Sequence, residues 1–208
     1  MSQLPQTIRW NSGELYFLDQ TLLPHKVVEE KQENVEQVWD SIRQLKVRGA
    51  PAIGVAGAYG LLLAIQDKTG LHKNKFNELI KAKAEYLDSA RPTAVNLKWA
   101  LDQMLECAKS FSGDDSKELF KYLEDEAIRI HNEDEKLCLD IGKYGVSLIK
   151  KDMGVMTHCN AGALATTGIG TATAPMYLAH RKKISFRVYS SETRPLLQGA
   201  RLTSWELQ

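Results

Sequence analysis

The chain has 208 residues, 43% of them hydrophobic and 25% charged, which is the composition of an ordinary globular protein with a sizeable core. Twenty-seven basic against 26 acidic side chains leave a formal net charge of +1. No global field then draws the chain to nucleic acid or to an anionic membrane, so any ligand is recognised by a local site.

Three cysteines, Cys107, Cys138 and Cys159, form no CxxC pair and leave one unmatched under any disulfide scheme. A reduced, cytoplasmic chain is the simpler expectation. The N-terminal residues carry no basic-then-apolar signal pattern. The longest apolar run, 52–65, is interrupted by glycines and shorter than the roughly 18 residues of a membrane span, and is expected as a buried helix.

Residues 7–10 and 14–18 read as a β-hairpin around a three-residue turn, Asn11-Ser12-Gly13, with glycine placed for positive φ. Val35, Val38, Trp39, Ile42 and Leu45 then keep helical spacing, and Asn34 with Gln37 suggests a capping box. Helices are expected near 75–89, near 94–111 after a Thr93 cap, and from about 115 to 150. The acidic run Glu133-Asp134-Glu135 is expected as a solvated face.

The period changes at Met153. Residues 154–158 read as a strand, Cys159-Asn160-Ala161-Gly162 as a turn, and the small residues that follow as the entry to a helix. A second strand begins near 185, a spacing that fits a βαβ unit. Residues 195–208 read as another helix start. The expected fold is thus α/β overall: residues 1–130 form a mostly α-helical domain with a small β-hairpin, and residues 131–208 open a Rossmann-like parallel-sheet domain. Two strands are too few for such a sheet, so the chain is expected to be truncated relative to a working protein.

Four segments could carry chemistry. In Arg48-Gly49-Ala50-Pro51 an arginine precedes a helix whose first turn tolerates proline. Free N–H groups and a guanidinium there suit a phosphate, although a surface arginine beside a helix stop fits equally well. Arg91-Pro92-Thr93 repeats the arrangement, which suggests two donors meeting on one anion. Cys159 stands at a strand end where ligands of doubly wound sheets bind, and a helix N-terminus there would favour its thiolate, although most cysteines are inert core residues. His158 cannot serve it as a base, because adjacent strand residues point to opposite faces. Gln198, past the second strand, has the donors and acceptors to meet sugar hydroxyls. Cys107 and Cys138 sit on apolar helical faces and read as structural. The histidines show no metal-ligand spacing.

Taken in order, residues 46–54, 89–97, 159–162 and the run Glu192-Thr193-Arg194-Pro195-x-x-Gln198-Gly199-x-Arg201-Leu202-Thr203 resemble the methylthioribose-1-phosphate isomerase family. The resemblance runs from Trp10 to the end of the chain. It implies a methionine-salvage enzyme that converts 5-methylthioribose 1-phosphate to 5-methylthioribulose 1-phosphate without cofactor or metal, usually as a homodimer. It implies that Arg48, Gly49, Ala50, Arg91 and Gln198 bind substrate and that Cys159 assists the transition state. The family's catalytic aspartate lies in a later motif, beyond Gln208, so these residues alone are expected to be inactive. Related isomerases act on 5-deoxyribose 1-phosphate or ribose 1,5-bisphosphate, and regulatory subunits of translation initiation factor 2B share the fold without the reaction. Hydride shift and enediol proton transfer both satisfy the chemistry.

Overall fold

A computed structural model describes residues 6–208. Strands β1 (Ile8–Asn11), β2 (Glu14–Leu18) and β3 (Glu29–Gln32) form an antiparallel sheet in that order. The hairpin turn is tighter than expected: Asn11 pairs with Glu14, so only Ser12 and Gly13 turn the chain, with φ of 50° and 84°. Positive φ at both central residues matches the right-handed twist of the flanking strands. Strand β3 was not expected. Its sequence, Glu-Glu-Lys-Gln, has no apolar alternation, and its charged side chains suit an open sheet edge.

Five helices follow: α1 (Val35–Arg43), α2 (Ala50–Ile65), α3 (Lys73–Asp88), α4 (Val95–Ser110) and α5 (Ser116–Gly145). Asn34 caps α1 by accepting the Gln37 N–H at 2.9 Å, and the Gln37 side chain reaches back to the Glu33 N–H at 2.8 Å, one residue before the partner of a standard box. Helix α4 starts at an Ala94 cap with no side-chain hydrogen bond, so Thr93 does not cap it.

Helix α2 is apolar on every side and packs against α1, α3, α4 and α5. The stretch Ala50–Lys68 has the length and hydropathy of a membrane span, but 72% of it lies buried inside the protein. Its glycines let the neighbours approach closely. A methyl at Gly54 would come 2.9 Å from the Asn96 carbonyl oxygen, and one at Gly60 would come 2.6 Å from Val38. The hairpin packs on α2. Trp10 stacks on Tyr59 of α2 with ring centroids 5.4 Å apart, and the Tyr59 hydroxyl meets His131 Nδ1 of α5 at 3.1 Å.

Helix α5 is 30 residues long and runs unbroken across the boundary expected at 130/131. Its first half packs on α2 and α4, its second on α6 (Ala174–Arg181). Strands β4 (Gly154–Thr157) and β5 (Arg187–Ser190) pair in parallel, with Thr157 opposite Ser190 at their C-terminal ends. The fold class read from the sequence therefore holds: a helical bundle with a hairpin, followed by a parallel α/β unit.

The segment after β4 departs from expectation. Apart from one 3₁₀ turn (Ala163–Ala165), it stays irregular until α6 begins at Ala174. Threonine and glycine dominate it, and short hydroxyl side chains compete with helical hydrogen bonding. Thr166 Oγ1 accepts the N–H groups of Gly168 and Gly170, both at 3.2 Å. Asp134 of α5 accepts the Thr167 N–H at 2.7 Å and its hydroxyl at 2.6 Å, so the acidic run is more than a solvated face. The last elements are a π-helical turn (Gly199–Thr203) and a short helical turn, α7 (Ser204–Glu206).

Replacing Gly54 by valine would drive a branched side chain into the Asn96 carbonyl. A loss of about 1–3 kcal/mol in urea-unfolding stability is expected, against a smaller loss for Gly54→Ala.

Candidate functional site

A cavity of about 450 Å³ opens between the helical bundle and the ends of β4 and β5. Arg48, Gly49, Ala50, Arg91, Cys159 and Gln198 all line it. The sequence placed these six residues in separate segments spread over 150 positions, and the fold brings them to one hollow. Leu45, Ile53, Val95 and Leu196 supply apolar wall, and Thr93, expected only as a helix cap beside Arg91, and Asn96 add polar groups.

Two helix N-termini face this space. Helix α2 enters it through Gly49 and Ala50, and α4 through Ala94, Val95 and Asn96; neither start has a side-chain cap. Uncapped first turns leave backbone N–H groups without intrahelical partners and place the positive dipole end toward the cavity. Two guanidinium groups add full charges. Such a wall has the chemistry to receive an anion.

Gly49 has no substitute. Its φ is 94°, and a Cβ there would lie 2.5 Å from both the Cα and Cβ of Ala165. The tight fit presses the start of α2 against the segment after β4, and Arg48 spans the same junction. Its Nη1 donates to Asn160 Oδ1 at 2.8 Å and its Nη2 to the Asn160 carbonyl at 3.0 Å. Burial pulls the Arg48 pKa down, opposed by the negative charge that Cys159 and Glu206 can carry, while Arg91 and Arg201 add to the downward pull.

Cys159 is fixed at both ends. Its backbone is left-handed, with φ of 62°. Its N–H donates to Thr193 Oγ1 at 2.9 Å, and its carbonyl accepts the Thr203 hydroxyl at 2.6 Å. Thr203 in turn accepts from the Asn160 amide at 3.1 Å. The direction of the thiol is thus set by residues beyond β5. His158 Nδ1 meets Ser191 Oγ at 2.7 Å; strand β4 ends at Thr157, so the alternation expected to separate His158 from Cys159 does not extend to this pair. Burial pushes the Cys107 and Cys138 thiols up to about 11, which suits inert packing residues. Arg201 does not line the cavity. It donates to the Leu23 carbonyl at 2.8 Å and ties the N-terminal segment to the π-helical turn.

Asn160, Thr193 and Thr203 were visible only as members of motifs, with no sign of what they hold. Glu206 gave no signal at all. It is a buried acid whose Oε2 accepts the Leu164 N–H at 3.1 Å. Burial pushes its pKa up to about 7, against the opposing pull of that N–H, the nearby Asn160 amide and the Arg48 charge. A groove of about 530 Å³ between α3 and α4 is lined by charges of both signs, among them Lys81, Glu85, Lys98 and Asp102, and contains none of the motif residues.

Comparison with known proteins supplies a family. Residues 46–208 match the Initiation factor 2 subunit family. The 5-deoxyribose 1-phosphate isomerase of Moorella thermoacetica is 49% identical over 201 residues, covering 96% of this chain and 57% of that protein. Its counterpart in Clostridium botulinum is 50% identical over 202 residues, covering 96% of the chain and 58% of that protein. Among solved structures, 5-methylthioribose 1-phosphate isomerase from Pyrococcus horikoshii superposes with a TM-score of 0.92 at 37% identity, over 98% of this chain and 57% of that one. The delta subunit of translation initiation factor eIF-2B from A. fulgidus gives 0.88 at 40% identity, over 97% and 58%. The chain thus spans well under two thirds of the length of these relatives.

Two measurements probe this geometry. Gly49→Ala combines a forbidden backbone angle with a backbone clash, and a loss of roughly 2–4 kcal/mol in chemical denaturation is expected. Glu206 ionises near 4.5 when unfolded and about 7 when folded, so the folded state holds the extra proton and loses relative stability as pH rises through that window. The stability difference, wild type minus Glu206→Gln, should fall by an order of 3 kcal/mol between pH 4 and pH 8.

Proposed function

The chain belongs to the Initiation factor 2 subunit family, and from that premise we propose that it grips the phosphate and presents the thiol in an aldose–ketose isomerase acting on a ribose 1-phosphate. The observation that carries this reading is the meeting of Arg48, Arg91, Cys159 and Gln198 around one cavity with two uncapped helix starts. Arg48 and Arg91 hold the phosphate with the α2 and α4 N–H groups. Gln198 orients the sugar hydroxyls.

The reaction must open a furanose ring whose anomeric oxygen is blocked by phosphate. The ring oxygen gains a proton as its bond to C1 breaks, hydrogen moves from C2 to C1, and the C2 hydroxyl loses a proton to become the carbonyl. The phosphate ester is retained, so substrate and product are isomers. Cys159 is the residue of this chain placed to handle one of those two protons, and fixing its backbone at both ends keeps it in reach. A second acid–base group is needed, and the resemblance places it in sequence after the motifs found here.

The apolar side chains Leu45, Ile53, Val95 and Leu196 favour a 5-carbon without phosphate. The 49–50% identity to proteins named 5-deoxyribose 1-phosphate isomerases puts that substrate ahead of the methylthio sugar, which is the substrate named for the relative at 37%. A homodimer belongs to the same proposal. Leu137, Ile141 and Tyr144 form an exposed apolar stripe on α5, continued by Leu148, which a second copy would cover.

Assay of the whole gene product with both sugar phosphates tests the reading. Cys159→Ser should lower kcat by about 10²–10⁴ with little change in KM. Arg91→Ala should lower kcat/KM by roughly 10–100-fold, mostly through KM. Ligand binding without turnover on either sugar would instead favour a non-catalytic binding protein.

A further inference from the structure

Behind the cavity wall lies a carboxyl group that the isomerase reading does not use. Glu206 is 6% exposed, and Oε1 is buried without a hydrogen-bond partner among the described residues. Gly162 makes room for it, since any side chain at that position would overlap the carboxylate. One turn earlier on the same segment, Thr203 holds the Cys159 carbonyl and the Asn160 amide. Asn160 holds Arg48, and the charge of Glu206 reaches that guanidinium.

Arg48 is a largely buried cation, repelled by Arg91 and Arg201. The negative charge that Cys159 and, next, Glu206 can carry opposes that burial, and of the two only Glu206 lies outside the cavity lining. A dianionic ligand in front of Arg48 makes that compensation redundant, because it supplies negative charge to the same guanidinium whose field Glu206 feels. A buried carboxylate whose Oε1 has no partner among the described residues is then the weaker competitor, and its neutral form is favoured.

We propose that Glu206 is a proton-linked positioning residue for this pocket: its carboxylate takes one proton from solvent as a phosphate-like dianion settles beside Arg48, and returns it when the ligand leaves. The inference rests on the cavity being a phosphate site and adds the residue that sets its charge. Proton and charge balance without any bond of the ligand breaking. The charged and titratable groups that face Glu206 are Arg48, from the loop before α2, and Tyr177, from α6, whose hydroxyl donates to the Glu206 main-chain carbonyl at 3.2 Å. Burial raises the Tyr177 pKa far above the usual range, so it keeps its proton throughout. The Glu206 pKa of about 7 places the exchange near neutrality.

Sulfate is a suitable probe, because it is a dianion that does not itself titrate between pH 6 and 8. Calorimetric titration with sulfate at pH 7, in two buffers of different ionisation enthalpy, reads protons taken up per ion bound. Wild type should take up a substantial fraction of a proton, and its sulfate affinity should fall about three- to tenfold from pH 6 to pH 8. Glu206→Gln should show no uptake and an affinity constant within about twofold over that range. Glu206→Leu serves the same purpose should the amide variant not fold. Uptake that persists in either variant, or that is missing from wild type, overturns the inference. No sulfate binding at all would instead remove the phosphate reading, and the inference with it.

Discussion

One arginine fork joins the two parts of this molecule where its cavity lies. Arg48 leaves the helical bundle just before α2 and places two donors on the side chain and carbonyl of Asn160, beyond β4. A buried guanidinium that is not satisfied is expensive, so the two segments are held at one separation and angle. Gly49 brings the same two segments into backbone contact at Ala165. The remaining features of the site follow from that register. The starts of α2 and α4 converge, Cys159 faces them, and Gln198 closes the remaining side.

Support for the register comes from outside the cavity. Thr203 ties Cys159 and Asn160 to the last helical turns, while Asp134 of α5 pins Thr167. From the other side the N-terminal segment reaches over. The Thr7 hydroxyl donates to the Ala163 carbonyl at 3.0 Å, and the Gln20 amide to the Leu164 carbonyl at 2.7 Å. These are buried, long-range polar bonds in a region with few large apolar side chains, where hydrogen bonding rather than packing must set the geometry. The thiol of Cys159 is therefore aimed by threonines on both flanks, none of which is itself an acid or a base.

The sequence carried the architecture where hydrophobic periodicity was strong. Helices α1 and α3 to α5, the hairpin and the two parallel strands were legible because each buries a regular face or alternates over a short run, and α2 because its apolar run is long. Strand β3 was not, since its stability comes from main-chain pairing along an edge and its side chains are charged. Nor was the irregular segment after Gly162, where threonine hydroxyls take the backbone donors that a helix would have used. Site residues with distinctive chemistry, two arginines before prolines and a cysteine at a strand end, could be named from the chain. That they meet could not be, because their convergence depends on contacts between residues more than a hundred positions apart. Glu206 shows the limit most plainly. An acid in a terminal helical turn looks like any surface glutamate until the glycine beneath it is seen to make room for it.

The length of α5 has a mechanical consequence. At 30 residues it is a rod of about 45 Å that both parts of the molecule share, with the bundle on one half and α6 on the other. Two lobes joined by a flexible strap can fold shut over a guest, as many ligand-closing proteins do. Lobes bolted along one continuous beam cannot swing apart without bending it. Any movement of one half against the other within residues 116–145 therefore has to bend a continuous helix or strip it of its packing.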